Sequence, residues 1–191
     1  MKIKVSFFFF ALLLSLFLTH SYTALALVLA AALHELGHIF AARLFDIPLG
    51  ELRLGAFGAA ITPKYGLTSY KKELALVIAG PLVNLASASV IFAYADTTDS
   101  FLSLFGFASL FLGMLNLLPI DDLDGGRFLR CAMLLKYPPD KVTRMCSSIS
   151  FLLVFSLWIL SVYLLLRLSL SLSLFTFSLS LFCKIFLKQK L

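Results

Sequence analysis

Apolar residues in this chain come in long unbroken runs, without the alternation or heptad spacing of a water-soluble fold. A membrane-crossing helix needs about 20 mostly apolar residues. Stretches 5–19, 22–45, 73–94, 101–118, 146–166 and 168–187 meet or approach that length. They predict an all-α polytopic membrane protein of about six transmembrane helices. The first stretch is short, which local thinning of the bilayer accommodates. It also resembles a secretory signal, with Lys2 and Lys4 before the apolar run and Ala24-Leu25-Ala26 as a cleavage site. Cleavage there would remove part of the second span. Residues 168–182 are biased to Ser, Leu and Phe, yet apolar enough to be expected as lipid-facing helix.

The breaks between runs are as informative. Residues 47–72 open with Pro48 and contain Gly50, Gly55, Gly58 and Gly66. Their middle, Leu52-Arg53-Leu54-Gly55-Ala56-Phe57, alternates weakly and fits a strand or hairpin as well as an ordinary cytoplasmic loop. No Gly/Ser or Pro-rich linker, charge run or internal repeat marks a second domain. Residues 1–191 are expected to form a single transmembrane domain, with no room for a PDZ insert or a CBS extension.

Composition agrees. The chain is 61% apolar and 14% charged, against about half and about a quarter in soluble domains. A net charge of +6 would suggest nucleic acid on a soluble protein. Here the basic residues lie between apolar runs, where membrane orientation accounts for them and no nucleic-acid partner is expected. With a cytoplasmic N-terminus, all but Arg167 of the 16 Lys and Arg fall on the cytoplasmic side. The short turn 95–100 carries Asp96 and Asp99 and no base, as an outer loop can. A wrong span count would scramble this partition. Cys131, Cys146 and Cys183 form no CxxC pair, so neither a disulfide framework nor a thiolate metal site is indicated.

The second span holds His34-Glu35-Leu36-Gly37-His38. On a helix, two histidines four residues apart share one face, so both imidazoles reach a single metal ion. Glu35 stands beside them, where a carboxylate can take a proton from metal-bound water. A hydrogen-bonded histidine pair between helices is the plainer reading, but it leaves Glu35 unexplained. Ionisable groups within a membrane are expensive unless paired or metal-bound. A catalytic zinc has three protein ligands and one open position. The fourth span ends in Asn116-Leu117-Leu118-Pro119-Ile120-Asp121-Asp122-Leu123-Asp124-Gly125-Gly126, which supplies three carboxylates. Asp121 and Asp122 also fit solvated caps, and Asp124-Gly125 also fits a simple turn.

The HELGH helix, the segment Ala79-Gly80-Pro81-Leu82-Val83-Asn84 and the stretch from Asn116 through Pro119 to Leu123-Asp124-Gly125-Gly126 together resemble the site-2 protease family of intramembrane zinc metalloproteases. The architecture is similar to the compact branch that includes the sporulation proteases acting on membrane-tethered pro-sigma factors. The resemblance implies a zinc cofactor held by His34, His38 and Asp124, with Glu35 as catalytic base. It also implies that Asn116 positions or polarises the substrate carbonyl. Asn84 matches another polar family position; as plain structure, Gly80-Pro81 is a helix kink and Asn84 an interhelical hydrogen bond. One departure is that Asp121 and Asp122 stand where family members often have a proline.

The function implied is zinc-dependent cleavage of a transmembrane or membrane-tethered protein, releasing a regulatory factor, in the bilayer of the bacterial cytoplasmic membrane and with a regulatory membrane partner. Two other classes compete: an inactive family member that binds membrane helices, and a metal transporter. A transporter would carry further acidic or histidine residues in its other spans, and those spans are almost bare.

Overall fold

The computed structural model describes residues 2–5, 21–55, 58–63, 69–94, 100–168 and 178–182. Two compact units divide the chain, Met1–Leu118 and Pro119–Leu191. The first contains helices α1 (Ser21–Leu44), α2 (Tyr70–Tyr94) and α3 (Ser100–Asn116) and strands β1 (Lys2–Val5), β2 (Leu49–Gly55) and β3 (Gly58–Pro63). The second contains α4 (Asp124–Leu134) and α5 (Pro139–Leu168). Among the described residues α1, α2 and α5 are long and apolar enough to cross a membrane, and α3 is a shorter apolar helix.

Within the first unit, α1, α2 and α3 all pack on one another. The inner face of α1 carries Ala26, Ala30, His34, His38, Ala41 and Ala42, all buried. Leu36, Phe40 and Leu44 point the other way and are exposed. This inverts a soluble helix: small and polar residues turn inward and large apolar ones outward, as expected where lipid replaces water. Small residues let backbones meet. A Cβ on Gly37 would lie 2.8 Å from the Ala79 carbonyl oxygen and 3.0 Å from Gly80 Cα, so α1 and α2 touch backbone to backbone there.

α1 ends in a Schellman turn. The Ile47 N–H donates to the Ala42 carbonyl at 2.8 Å and the Asp46 N–H to Arg43 at 3.4 Å, with Asp46 at φ 50°. Ile47 then packs against Ala41, Ala42 and Leu76, the apolar contact that accompanies this motif. Lys72 Nζ donates to the Phe45 carbonyl at 2.8 Å, a cation at a helix C-terminus.

Residues between α1 and α2 hold β2 and β3, paired antiparallel, with β1 added parallel to β2. Leu52 faces Ile61 and Leu54 faces Ala59 in register. Leu49 pairs with Pro63 and Glu51 with Thr62, so Gly50 is the extra residue of a bulge. Val5 belongs to β1, so the expected 5–19 span does not start there; residues 6–20 lie outside the described residues.

In the second unit, α5 begins at Pro139, seven residues before the apolar run predicted to start at 146. Proline suits a first helical position because its missing N–H is one the helix leaves unpaired anyway. The expected 168–187 helix is described only at Leu168 and over 178–182, where the chain is helical. Ser178 and Leu181 are buried, and Ser178 Oγ lies 2.9 Å from Ser161 Oγ of α5. That side of the turn faces protein, not lipid.

Candidate metal centre

Four residues separate His34 and His38 on α1, and both rings are buried. They meet edge-on, their planes 82° apart, with the two Nε2 atoms 3.2 Å apart. Two nitrogens bound to one tetrahedral zinc at about 2.0–2.1 Å are separated by about 3.3 Å. The pair is therefore spaced as two ligands of one ion.

Each ring is gripped from behind. His38 Nδ1 donates to the Leu76 carbonyl of α2 at 2.8 Å. Placing the proton on Nδ1 leaves Nε2 with its lone pair, the form that binds metal. His34 Nδ1 lies 3.4 Å from the Asn84 amide nitrogen, also on α2. Asn84 is fully buried, so the interhelical hydrogen bond read from the sequence joins α2 to a motif histidine.

Gly80 faces the front of the pair. A Cβ there would fall on His38 Nε2 and come within 2.9 Å of His34 Nε2. Any other residue at position 80 would fill the space in which the two donor atoms converge. Pro81 follows inside α2 and removes one rung of that helix's ladder, since it has no N–H. Glu35 sits next to His34 on the same helix, its Oε2 shut off from solvent.

Asn116 closes α3, and its amide donates to the Leu112 carbonyl one turn back at 3.0 Å. An amide NH2 has two donors, so this bond commits one of them.

The acidic stretch belongs to the second unit and its members differ. Asp121 Oδ1 lies 3.0 Å from Arg130 Nη2, and the Asp121 N–H donates to Ser150 Oγ at 2.9 Å. Asp122 is exposed. Asp124 is half-buried and is the first residue of α4, at the positive end of the helix dipole. It thus opens a helix, where the sequence suggested a simple turn as one reading. The loop before it is folded hard: Ile120 is fully buried, the Leu123 N–H donates to the Ile120 carbonyl at 2.8 Å, and a Cβ on Gly126 would fall on that same carbonyl.

Sequence reasoning located the histidine pair and read Asn84 as an interhelical hydrogen bond, but did not say which residue it meets and missed the other support, the Leu76 carbonyl. The Leu76 carbonyl could not have been found, since any residue offers one. Gly80 carried a weak signal, having been read as part of a kink and of the segment that bears the family resemblance.

Apolar spans and a zinc-spaced histidine pair enclosing a glutamate define a multi-pass membrane protein of metallopeptidase type. Comparison with known proteins gives the family. The model for peptidase family M50 matches residues 22–98 and 93–157, and the chain belongs to that family. It is 33% identical over 161 residues to stage IV sporulation protein FB of Bacillus subtilis, covering 78% of this chain and 54% of that protein. It is 30% identical over 155 residues to a zinc metalloprotease of Methanocaldococcus jannaschii, covering 73% of this chain and 44% of that one. The chain thus spans about half the length of these curated relatives. Among solved structures, the site-2 protease from Methanocaldococcus jannaschii matches with a TM-score of 0.71 and 25% identity, covering 96% of this chain and 88% of that one.

Proposed function

We propose that this protein is a zinc-dependent intramembrane endopeptidase that cuts a transmembrane or membrane-tethered protein and so releases a regulatory factor. The observation that carries the reading is the buried His34–His38 pair, 3.2 Å apart at Nε2, with Glu35 between the two histidines on α1. His34, His38 and Asp124 are of the kind that could hold a metal ion: two imidazoles and one carboxylate, with a fourth position left for water or substrate. The bilayer is the cytoplasmic membrane of a bacterium, a reading supported by the family resemblance, and the chain enters it with the N-terminus inside, as the distribution of Lys and Arg supports.

A zinc ion at such a site supplies Lewis acidity to the scissile carbonyl and makes water a nucleophile near neutral pH. Glu35 accepts the proton of the attacking water and returns it to the leaving amine. The uncommitted N–H of Asn116 donates to the oxygen on which negative charge develops. A helical substrate hides its carbonyls in hydrogen bonds to N–H groups four residues on, so the scissile stretch has to unwind first. Residues 52–61 include the end of β2, which is paired on both sides, and most of β3 (Gly58–Pro63), whose outer edge offers strand addition as the means of holding it extended.

The test separates binding from chemistry. Glu35→Gln should keep zinc but lower cleavage of a membrane-tethered substrate by at least ~100-fold, the low end for a lost general base. His34→Ala should lose both zinc and cleavage. Cleavage by purified Glu35→Gln at the wild-type rate would rule the mechanism out. Membrane proteins that accumulate uncut in a Glu35→Gln strain would identify the substrate.

A further inference from the structure

Asn84 stands behind the histidine pair and has an amide with two distinct ends. Its side chain is 0% exposed. Its Nδ2 lies 3.4 Å from His34 Nδ1, while among the described residues its Oδ1 is buried with no hydrogen-bond partner. A buried amide oxygen left unmatched is costly, because nothing replaces the water it has given up. Such a group in a native site calls for a reason.

The reason follows from counting donors along the row Asn84, His34, His38, Leu76. His38 Nδ1 donates to the Leu76 carbonyl, so in the neutral ring His38 Nε2 is an acceptor. Hydrogen bonding across the 3.2 Å gap then requires His34 Nε2 to be the donor. That leaves His34 Nδ1 as an acceptor, served by the Asn84 N–H. Metal binding demands the opposite, with lone pairs on both Nε2 atoms. The His34 proton must then sit on Nδ1, where Asn84 can receive it only by presenting Oδ1. An amide satisfies both patterns by a half-turn about its last bond, because its oxygen and nitrogen ends are nearly the same size. Aspartate offers acceptors alone, and leucine offers neither.

We infer that Asn84 is a positioning residue that serves His34 in both tautomers, turning its amide from donor to acceptor when the histidine pair takes up zinc. The inference rests on the zinc reading above. The exchange conserves protons: the Nε2 proton leaves to water, Nδ1 takes one from water, and the ring stays neutral. The two-ended amide lets the paired rings remain hydrogen-bonded without zinc and become a pair of ligands with it. A carbonyl in place of Asn84, such as the one facing His38, would lock His34 in one form.

The experiment uses the full chain in detergent micelles, labelled with 15N-histidine, with zinc as the probe against a competing chelator. The His34 resonances are identified by their loss in His34→Gln. In wild type, His34 Nδ1 should be unprotonated after chelation and protonated with zinc bound. Asn84→Leu should bind zinc ~10- to 100-fold more weakly, the range for lost partners of metal-binding histidines. Asn84→Asp should bind zinc no more weakly than wild type and keep His34 Nδ1 protonated with or without zinc, which a merely structural role would not produce. If Asn84→Leu does not fold, the wild-type and Asn84→Asp spectra still decide. Wild-type zinc affinity in Asn84→Leu, or an Nδ1 state in wild type that does not change with zinc, would overturn the inference and leave the zinc reading intact. Failure of wild type to hold zinc would remove both.

Discussion

The histidine face of α1 and the acidic stretch leading into α4 set out their side chains in contrasting ways. On α1 the spacing of donors is intrinsic to the helix: four residues set the rings on one face, and α2 only has to turn them. Its help is specific, with the Leu76 carbonyl at 2.8 Å behind one ring and Asn84 at 3.4 Å behind the other. The acidic stretch has no such period. Three carboxylates crowd within four residues, and the fold gives them different surroundings: Asp121 faces an arginine, Asp122 faces outward, and Asp124 opens a helix. Regular structure can place ligands by register alone. An irregular loop must be held by packing, and here Gly126 folded against Ile120 does the holding.

That contrast can be broken from either side. Apart from changes to the proposed ligands and Glu35, the largest effect belongs to Gly80→Ala. The added methyl would fall on His38 Nε2, and the ring is already committed to Leu76 at its other end. Zinc affinity should drop by ~100-fold, at the upper end for changes to the supports of a metal ligand, with the metal-stripped protein still folded. Equal zinc content in the two proteins after dialysis would show that the rings have room to spare.

Gly126→Ala attacks the other region. The methyl would meet a backbone carbonyl, which cannot rotate aside, so the 120–126 loop has to shift. A loss of ~1–3 kcal/mol is expected for overpacking of this kind, read as a lower thermal midpoint, with weaker cleavage if Asp124 is the third ligand. An unchanged midpoint would mean that the loop is looser than the buried Ile120 indicates.

The smallest effect should come from Asp121→Asn. Arg130 is 37% and Asp121 13% exposed, and an ion pair that keeps one partner in contact with solvent is worth about 1 kcal/mol at most. Stability and zinc affinity should both stay close to wild type. A large loss of zinc would instead make Asp121 the ligand and displace Asp124.

Much of the helical framework was legible because long apolar runs have few other ways to satisfy their backbones in lipid. α1, α2 and α3 follow the runs at 22–45, 73–94 and 101–118 within a few residues. α4 was not legible. It has 11 residues and begins Asp-Gly-Gly, which locally reads as a turn, and only the loop folded back on Gly126 makes it a helix start. The first seven residues of α5 were missed for a related reason, since Pro139-Asp140-Lys141 is polar and carries no membrane signal. Likewise Asp46 ends α1 in a conformation usually given to glycine, so no punctuation marked the stop.

By itself the sequence determined that this chain lives in a membrane and that one helix carries two imidazoles and a carboxylate within five residues, His34 to His38. Both follow from local rules, apolar length and helical period, that need no partner. Tertiary structure alone decided which atoms stand behind those rings, that position 80 must be empty of side chain, and that Asp121 is tied to an arginine. The contacts at the rings and at position 80 join residues tens of positions apart, and the Asp121–Arg130 pair crosses the start of α4. No local pattern encodes them, because a given carbonyl, bare Cα or surface charge is chemically the same wherever it occurs.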